Sequence, residues 1–199
     1  FNMNGGAIYG NTATANGNNI YNSGTFTMTG GRVGKQAFDR YDENGNPSSS
    51  GQYVYFGSYP KTIKANNVTI NTSNVDSNGY FLGSDNQRYA KFTATPIEDN
   101  YKFTNGETIV SDRDYYFKVE PILWRILSEE DGKAIILAKD IIEASIFYGD
   151  YNNRTINERT IYPSNYQYSY IRTFINGDFY NKAFSLSEKN KIITTAVNN

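Results

Sequence analysis

The chain has 199 residues, a formal net charge of −1, and neither Cys nor His. Those two zeros exclude disulfides, cysteine nucleophiles, Cys/His zinc sites and a Ser-His-Asp triad. The near-neutral charge argues against bulk electrostatic binding to nucleic acid or an anionic membrane, and no apolar run is long enough to insert across a bilayer. Catalysis would have to rest on Asp, Glu, Lys, Tyr or a metal held by oxygens. The chain opens at Phe1 without a signal-peptide pattern and reads as a piece excised from something longer.

Residues 1–31 carry no charge and are rich in Gly and Asn. Phe1-x-Met3-x-Gly5-Gly6 recurs as Phe26-x-Met28-x-Gly30-Gly31, a spacing of 25, and Ala7-Ile8-Tyr9-Gly10-Asn11 is echoed by Asn19-Ile20-Tyr21-Asn22. Short β-prone bursts alternate with Gly/Asn corners that supply positive φ. A period in the twenties signals a solenoid, in which each coil buries its inner face only by stacking on the next. The segment 1–34 is therefore expected to be the terminal coil or coils of a right-handed parallel β-helix. Residues 35–51 have linker composition. Asp42, Asn44 and Asn46 mimic the start of a calcium loop, but Pro47 and Tyr53 stand where Gly and Glu are required, so the stretch reads as a solvated turn.

An α+β domain is expected over 52–199. Gln52–Pro60 reads as a strand ending in a turn, with Val68–Ile70 and Lys91–Pro96 as further short strands. Asp114–Val119 and Pro121–Leu127 read as two strands separated by Pro121. Glu129-Glu130-Asp131-Gly132 is a hairpin turn. The return strand, Lys133–Ala138, is the most apolar stretch and is expected to cross the core. Residues 148–169 read as a long irregular loop. Helix appears only late. Ser169 caps a helix from Tyr170 to about Asn176 with Ile171, Phe174 and Ile175 inward and Gly177 closing it. Phe179–Phe184 makes another turn, and Ser185-x-x-Glu188 is a capping box for a helix reaching about Ile193.

Two resemblances follow from these residues. The repeat resembles the GGAI-type repeats of bacterial surface and autotransporter-like adhesins. Phe56-Gly57-Ser58-Tyr59-Pro60, Glu120-Pro121-Ile122-x-Trp124-Arg125-Ile126-Leu127, Ser169-x-Ile171-Arg172-x-Phe174-Ile175-Asn176 and Ala183-Phe184-Ser185-x-x-Glu188 together resemble a bacterial extracellular domain family of uncharacterised function. That resemblance implies a C-type-lectin-like fold related to formylglycine-generating enzymes. The chain departs from the family pattern at Phe174, where a Trp is usual, and lacks the family's second half with its W-W-L-R-S-like stretch and closing V-R-P strand. The lectin-like domain is accordingly expected to be incomplete, and the missing remainder of the parent chain is one expected partner.

Tyr148, Tyr151, Tyr162, Tyr166 and Tyr168, with Arg172, are the candidate ligand-binding residues. Tyr among Asn, Ser and Arg is the composition of adaptable recognition surfaces, although Tyr also substitutes for scarce aliphatics as packing material. Arg172 could bind an acidic ligand or tie its helix to a neighbouring carbonyl. Trp124, the single Trp, reads as scaffold rather than a sugar platform. Glu129-Glu130-Asp131 and Asp112/Asp114 read as solvated turns rather than the paired carboxyls of a glycosidase. Sequon matches at Asn67, Asn71 and Asn153 are at chance level in an Asn-rich chain. The expected function is a secreted or surface-displayed adhesin-type module that binds a glycan or a host or environmental protein, without catalytic residue, cofactor or metal. The alternatives are a structural cap of the β-helix stalk and a carboxylate-based glycan-active enzyme fragment.

Overall fold

The computed structural model describes residues 1–8, 20–33, 38–96, 98, 100–149 and 151–194. It is mainly β with a few short helices, in open sheets. The chain divides into two compact units, Phe1–Val54 with Arg125–Leu137 and Tyr55–Trp124 with Ala138–Asn199.

In the first unit, β1 (Asn2–Ile8) pairs in parallel with β2 (Thr27–Val33). The register is the repeat spacing itself: Asn2 lies opposite Thr27 and Met3 opposite Met28, with a local irregularity around Asn4. Equivalent side chains stack. The rings of Phe1 and Phe26 lie 5.6 Å apart and 6° from parallel, and Thr29 Oγ1 donates to Asn4 Oδ1 at 2.9 Å. The inner echo at Tyr9-Gly10-Asn11 and Asn19 falls outside the described residues.

Between 38 and 51, where a linker is expected, the described chain is closely bonded. Tyr41 and Tyr53 exchange backbone hydrogen bonds at 3.0 and 3.1 Å. Asp42 Oδ1 accepts from the amides of Asn44 and Asn46, closing the turn that the sequence suggested. Arg40 forms an ion pair with Glu129, whose side chain is only 9% exposed. Glu129 is thus a buried partner and not part of a solvated hairpin tip.

The strand β8 (Lys133–Ala138) corrects the expectation of a core strand. It pairs with β7 (Asp114–Glu130), and its residues alternate between exposed and half-buried. Ile135 and Leu137 are 65% and 58% exposed. An apolar run marks a strand, but burial on both faces needs cover on both, and here one face is open.

The second unit holds most of a six-stranded sheet in the order β3-β7-β6-β5-β4, with β8 also on β7. Its strands are β3 (Tyr53–Ile63), β4 (Ile70–Val75), β5 (Phe81–Gly83) and β6 (Arg88–Thr93). The strand β3 runs through Pro60 instead of turning there. The strand β7 is one continuous element of 17 residues through Pro121, not two. Its antiparallel register with β6 covers Asp114 to Lys118. Pro121 lies beyond that ladder and is exposed, so its missing N–H leaves no β6 partner unpaired.

Three hairpins share one Asn-Gly turn. Asp42 N donates to Asn46 O, Asp76 N to Tyr80 O and Phe103 N to Glu107 O, each at 2.9 Å. Gly45, Gly79 and Gly106 take φ of 81°, 81° and 84°, the left-handed position that this loop demands. Two of the three lie in the second unit.

The helical end is a continuous run. Helix α1 (Tyr170–Phe174) passes into a π-helical segment, Ile175–Phe179, and then α2 (Tyr180–Ala183). Gly177 does not end it. Asn176 Nδ2 donates to the Arg172 carbonyl at 2.8 Å, beside the Ile175 amide that also donates to it, where the helix widens. Ile175 points outward, at 42% exposed. Helix α3 (Leu186–Lys189) opens with the expected Ser185/Glu188 capping box but is shorter than its pattern suggests.

The core of this unit explains the motifs. Tyr59, Ile122, Ala183 and Phe184 are buried together, with Phe56, Trp124, Ile142, Phe179 and Tyr180 packed around them. Trp124 donates its indole N–H to the Phe56 carbonyl at 2.6 Å and stacks on Phe184. Gly57, at φ +72°, lets β3 pass against the Phe184 ring. The carboxylate of Glu188 then accepts from the Gly57 amide at 2.9 Å, across 131 residues. The Phe-Gly-Ser-Tyr-Pro, Trp and Ala-Phe-Ser-x-x-Glu motifs therefore meet in one scaffold node.

Candidate functional site

The segment 146–172 is built around an arginine. A hairpin of β9 (Arg154–Ile156) and β10 (Arg159–Ile161) turns at Asn157 and Glu158, both at positive φ. This hairpin lies inside the stretch expected to be irregular. Ile161 is its buried anchor, at 6% exposed. The hairpin presents Arg154, whose Cζ sits 4.3 Å from the centre of the Tyr148 ring. The Tyr148 ring stacks in turn on Tyr170, 5.9 Å away at 20°. The guanidinium also donates to the Tyr168 carbonyl at 2.6 Å. The result is a three-layer pile of cation, ring and ring, an arrangement that the ring quadrupole stabilises.

Two backbone features hold the pile. The Tyr170 amide donates to the Phe147 carbonyl at 2.9 Å. Gly149 passes so close to Tyr170 that an added Cβ would stand 2.3 Å from Cε2. Below it, Ser169 is fully buried. Its hydroxyl donates to the Tyr166 carbonyl and accepts from the Arg172 amide, at 2.7 and 3.2 Å, so it joins a short 3-10 turn (Tyr166–Tyr168) to α1.

The six expected binding residues separate into groups. Tyr148 and the Tyr168 backbone belong to the Arg154 pile. Tyr151 is 99% exposed, with Tyr162 and Tyr166 exposed as well; no ring contact among the described residues links them to the pile. Arg172 stays outside it: its Nη1 reaches the Gln167 carbonyl at 3.4 Å, which is the helix-tying role. Arg154 and Tyr170 are the members that sequence reasoning missed. The signal available for Arg154 was the doubled Arg-Thr-Ile at 154–156 and 159–161, two short strands that pair with Arg154 opposite Ile161.

Five buried side-chain polar atoms among the described residues lack a protein partner, and three of them are in this segment: Tyr148 Oη, Arg154 Nε and Asn165 Oδ1. Such atoms are costly unless water or a ligand meets them. Chemically, the segment offers aromatic faces, a guanidinium and hydrogen-bonding groups.

Several carboxylates elsewhere are engaged in structure. Asp114 accepts from Lys91 Nζ and Thr93 Oγ1 at 3.0 and 2.6 Å, and these bonds hold its carboxyl below the usual range. Glu143 accepts from the Tyr59 hydroxyl at 3.1 Å, and burial together with that neighbouring charge raises the Tyr59 phenol well above its ordinary value. Among the described residues no group of three acidic side chains is placed to hold a metal, and no helix is long and apolar enough to cross a membrane. A shallow groove runs beside Pro60, Pro121, Ile122 and Ile141, flanked by the Lys61–Asp140 ion pair.

No curated protein and no solved structure matches the chain. Residues 131–199, which include the Arg154 pile and every helix among the described residues, match a family described as a domain of unknown function (DUF6273).

Proposed function

We propose that this chain is a secreted or surface-displayed binding module of the adhesin type, recognising a glycan or a protein through its tyrosine-rich segment. The observation that carries this reading is the Arg154–Tyr148–Tyr170 pile with Tyr151, Tyr162 and Tyr166 exposed in the same segment. Tyr gives large, stiff, amphipathic contact area at low entropic cost. The buried but unpaired Tyr148, Arg154 and Asn165 atoms support a site that a polar partner completes.

The parallel pairing of β1 and β2 at the repeat spacing supports reading residues 1–34 as the end of a right-handed parallel β-helix stalk. The sheet with its short helices is read as an incomplete C-type-lectin-like module. The test is an array of glycans and matrix proteins probed with the native chain and with a Tyr151→Ser/Tyr162→Ser/Tyr166→Ser variant. Binding by the native chain that the variant loses supports the reading, and glycan or protein spots identify the ligand class. No binding by the native chain overturns it.

A cap reading is favoured by one observation: the chain following the stalk is pinned by the buried Arg40–Glu129 pair within the same compact unit as β1 and β2. In that case deleting residues 52–199 from the parent causes aggregation without loss of any binding.

A further inference from the structure

We propose that the ligand of the tyrosine-rich segment is an acidic glycan, a sugar ring that carries a carboxylate beside free hydroxyls. The inference rests on reading that segment as the binding site, and it names the chemistry the site selects.

The positive charge of the segment is all arginine. Residues 146–172 hold Arg154, Arg159 and Arg172 and no Lys, against two carboxylates, Asp150 and Glu158. Arg154 donates to the Tyr168 carbonyl at 2.6 Å and Arg172 to the Gln167 carbonyl at 3.4 Å. Two guanidinium groups therefore hold successive carbonyls of one 3-10 turn. In the β9–β10 hairpin, Arg154 lies opposite Ile161 and Arg159 opposite Ile156. Side chains alternate along a strand, so Arg154 and Arg159 stand on the same face as diagonal neighbours, about 7–8 Å apart.

Arg159 and Arg172 are exposed, and Arg154 is half-buried. Among the described residues none of the three forms an ion pair, whereas Arg40, Arg88 and Arg113 each do. Like charges gathered on one segment repel each other, and an anion that reaches them relieves the repulsion. The planar guanidinium matches a carboxylate through two parallel hydrogen bonds, which an ammonium cannot do.

The orphaned atoms favour a sugar over an acidic protein side chain. Arg154 Nε and Tyr148 Oη have a proton to donate, whereas Asn165 Oδ1 can only accept. An ionised Asp or Glu side chain supplies acceptors alone. A carboxylated sugar ring supplies a carboxylate to the donors and a hydroxyl to the acceptor from one rigid unit. Its C–H face suits the rings of Tyr162, Tyr166 and Tyr170, which are 61%, 47% and 47% exposed.

The test is calorimetric titration of the full chain at low salt with trigalacturonate and with sialyllactose, each beside its methyl ester. The ester keeps the ring and removes the charge. The expected result is that at least one of the two acids binds and that its ester binds about tenfold more weakly or worse. An Arg159→Gln/Arg172→Gln variant changes two exposed side chains, so native Trp124 fluorescence should persist while affinity for the bound acid falls about fivefold or more.

Equal affinity for acid and ester, or unchanged affinity in the variant, overturns the proposal. Tighter binding of poly-L-glutamate than of either sugar also overturns it, because the partner is then an acidic protein. If a neutral glycan or a matrix protein binds the chain and neither acid does, the proposal fails while the binding reading stands. A chain that binds none of these probes overturns both.

Discussion

Gly57 carries the most specific structural prediction. It holds φ of +72°, and a Cβ placed on it would meet Phe184 Cε1 at 2.6 Å, Phe184 Cδ1 at 2.7 Å and the Ala183 carbonyl at 2.8 Å. Gly57→Ala therefore meets two penalties. The left-handed backbone costs an L-residue about 1–2 kcal/mol. Forcing a methyl group against a buried ring costs about 1–3 kcal/mol more. The sum, about 2–5 kcal/mol, is a large part of a typical domain stability of about 5–15 kcal/mol. For a chain of this size it lowers Tm by about 4–20 °C.

Three other glycines separate the two penalties. Gly79 and Gly106 have φ of +81° and +84° with nothing near a Cβ, so their alanine variants should lose only the backbone part, about 1–2 kcal/mol. Gly177 lies in the helical run with open space around it, so Gly177→Ala should be neutral or stabilise by up to about 1 kcal/mol. The assay is urea unfolding followed by fluorescence of Trp124, the single Trp, which stacks on Phe184. If Gly57→Ala costs no more than Gly79→Ala, β3 does not pack against the Phe184 ring at Gly57.

Other predictions follow from the same geometry. Burial pushes the Glu188 carboxyl up, but bonds from the Ser185 hydroxyl, the Ser185 amide and the Gly57 amide outweigh it and leave the group below its ordinary value. A lowered folded value means that Glu188 contributes stability above the usual carboxylate range and loses it as pH falls through that folded value. Glu188→Gln should cost about 1–2 kcal/mol near neutrality and show a shallower acid limb in pH-dependent unfolding; an unchanged limb would remove the Gly57 link. Glu129→Leu alone should destabilise the first unit by about 3–5 kcal/mol, whereas adding Arg40→Met should recover most of it. Hydrogen exchange at the Tyr41 and Tyr53 amides reads this, and no recovery in the double variant would count against a buried pair. Tyr148→Phe removes a buried hydroxyl without a protein partner and should leave thermal stability unchanged or slightly raised, while Tyr148→Ala collapses the pile and costs about 2–4 kcal/mol. A Tyr148→Phe variant as unstable as Tyr148→Ala would mean that the hydroxyl is bonded.

Local chemistry was the legible part of the sequence. The 25-residue repeat became the parallel register of β1 and β2, because a repeated strand pairs with its copy in phase. Ser169 and Ser185 with Glu188 cap helices where their spacing says they should. Length and burial were harder to read. Pro121 suggested a break, yet its position beyond the β6 ladder removes the conflict. Lys133–Ala138 looked like core because apolar content does not reveal whether both faces are covered. The Asn-Gly pairs at 78–79 and 105–106 were sufficient signals for two hairpins that composition alone hid among polar residues. At the candidate site, Tyr abundance pointed to the right segment but not to its organising group. Arg154 reaches Tyr148 and Tyr168 only once a hairpin turning at Asn157 and Glu158 has formed, and Glu at the second positive-φ position weakens the turn signal that Asn157 gives.

The most direct test of the binding reading is isothermal titration of the strongest ligand from the glycan and matrix-protein array against the native chain and a Tyr170→Ala variant. Tyr170 is the outer ring of the Arg154–Tyr148–Tyr170 pile and about half exposed, so its loss should weaken binding at least tenfold while Trp124 fluorescence remains native. An unchanged affinity in the Tyr170→Ala variant, or an array with no ligand for the native chain, would contradict the account.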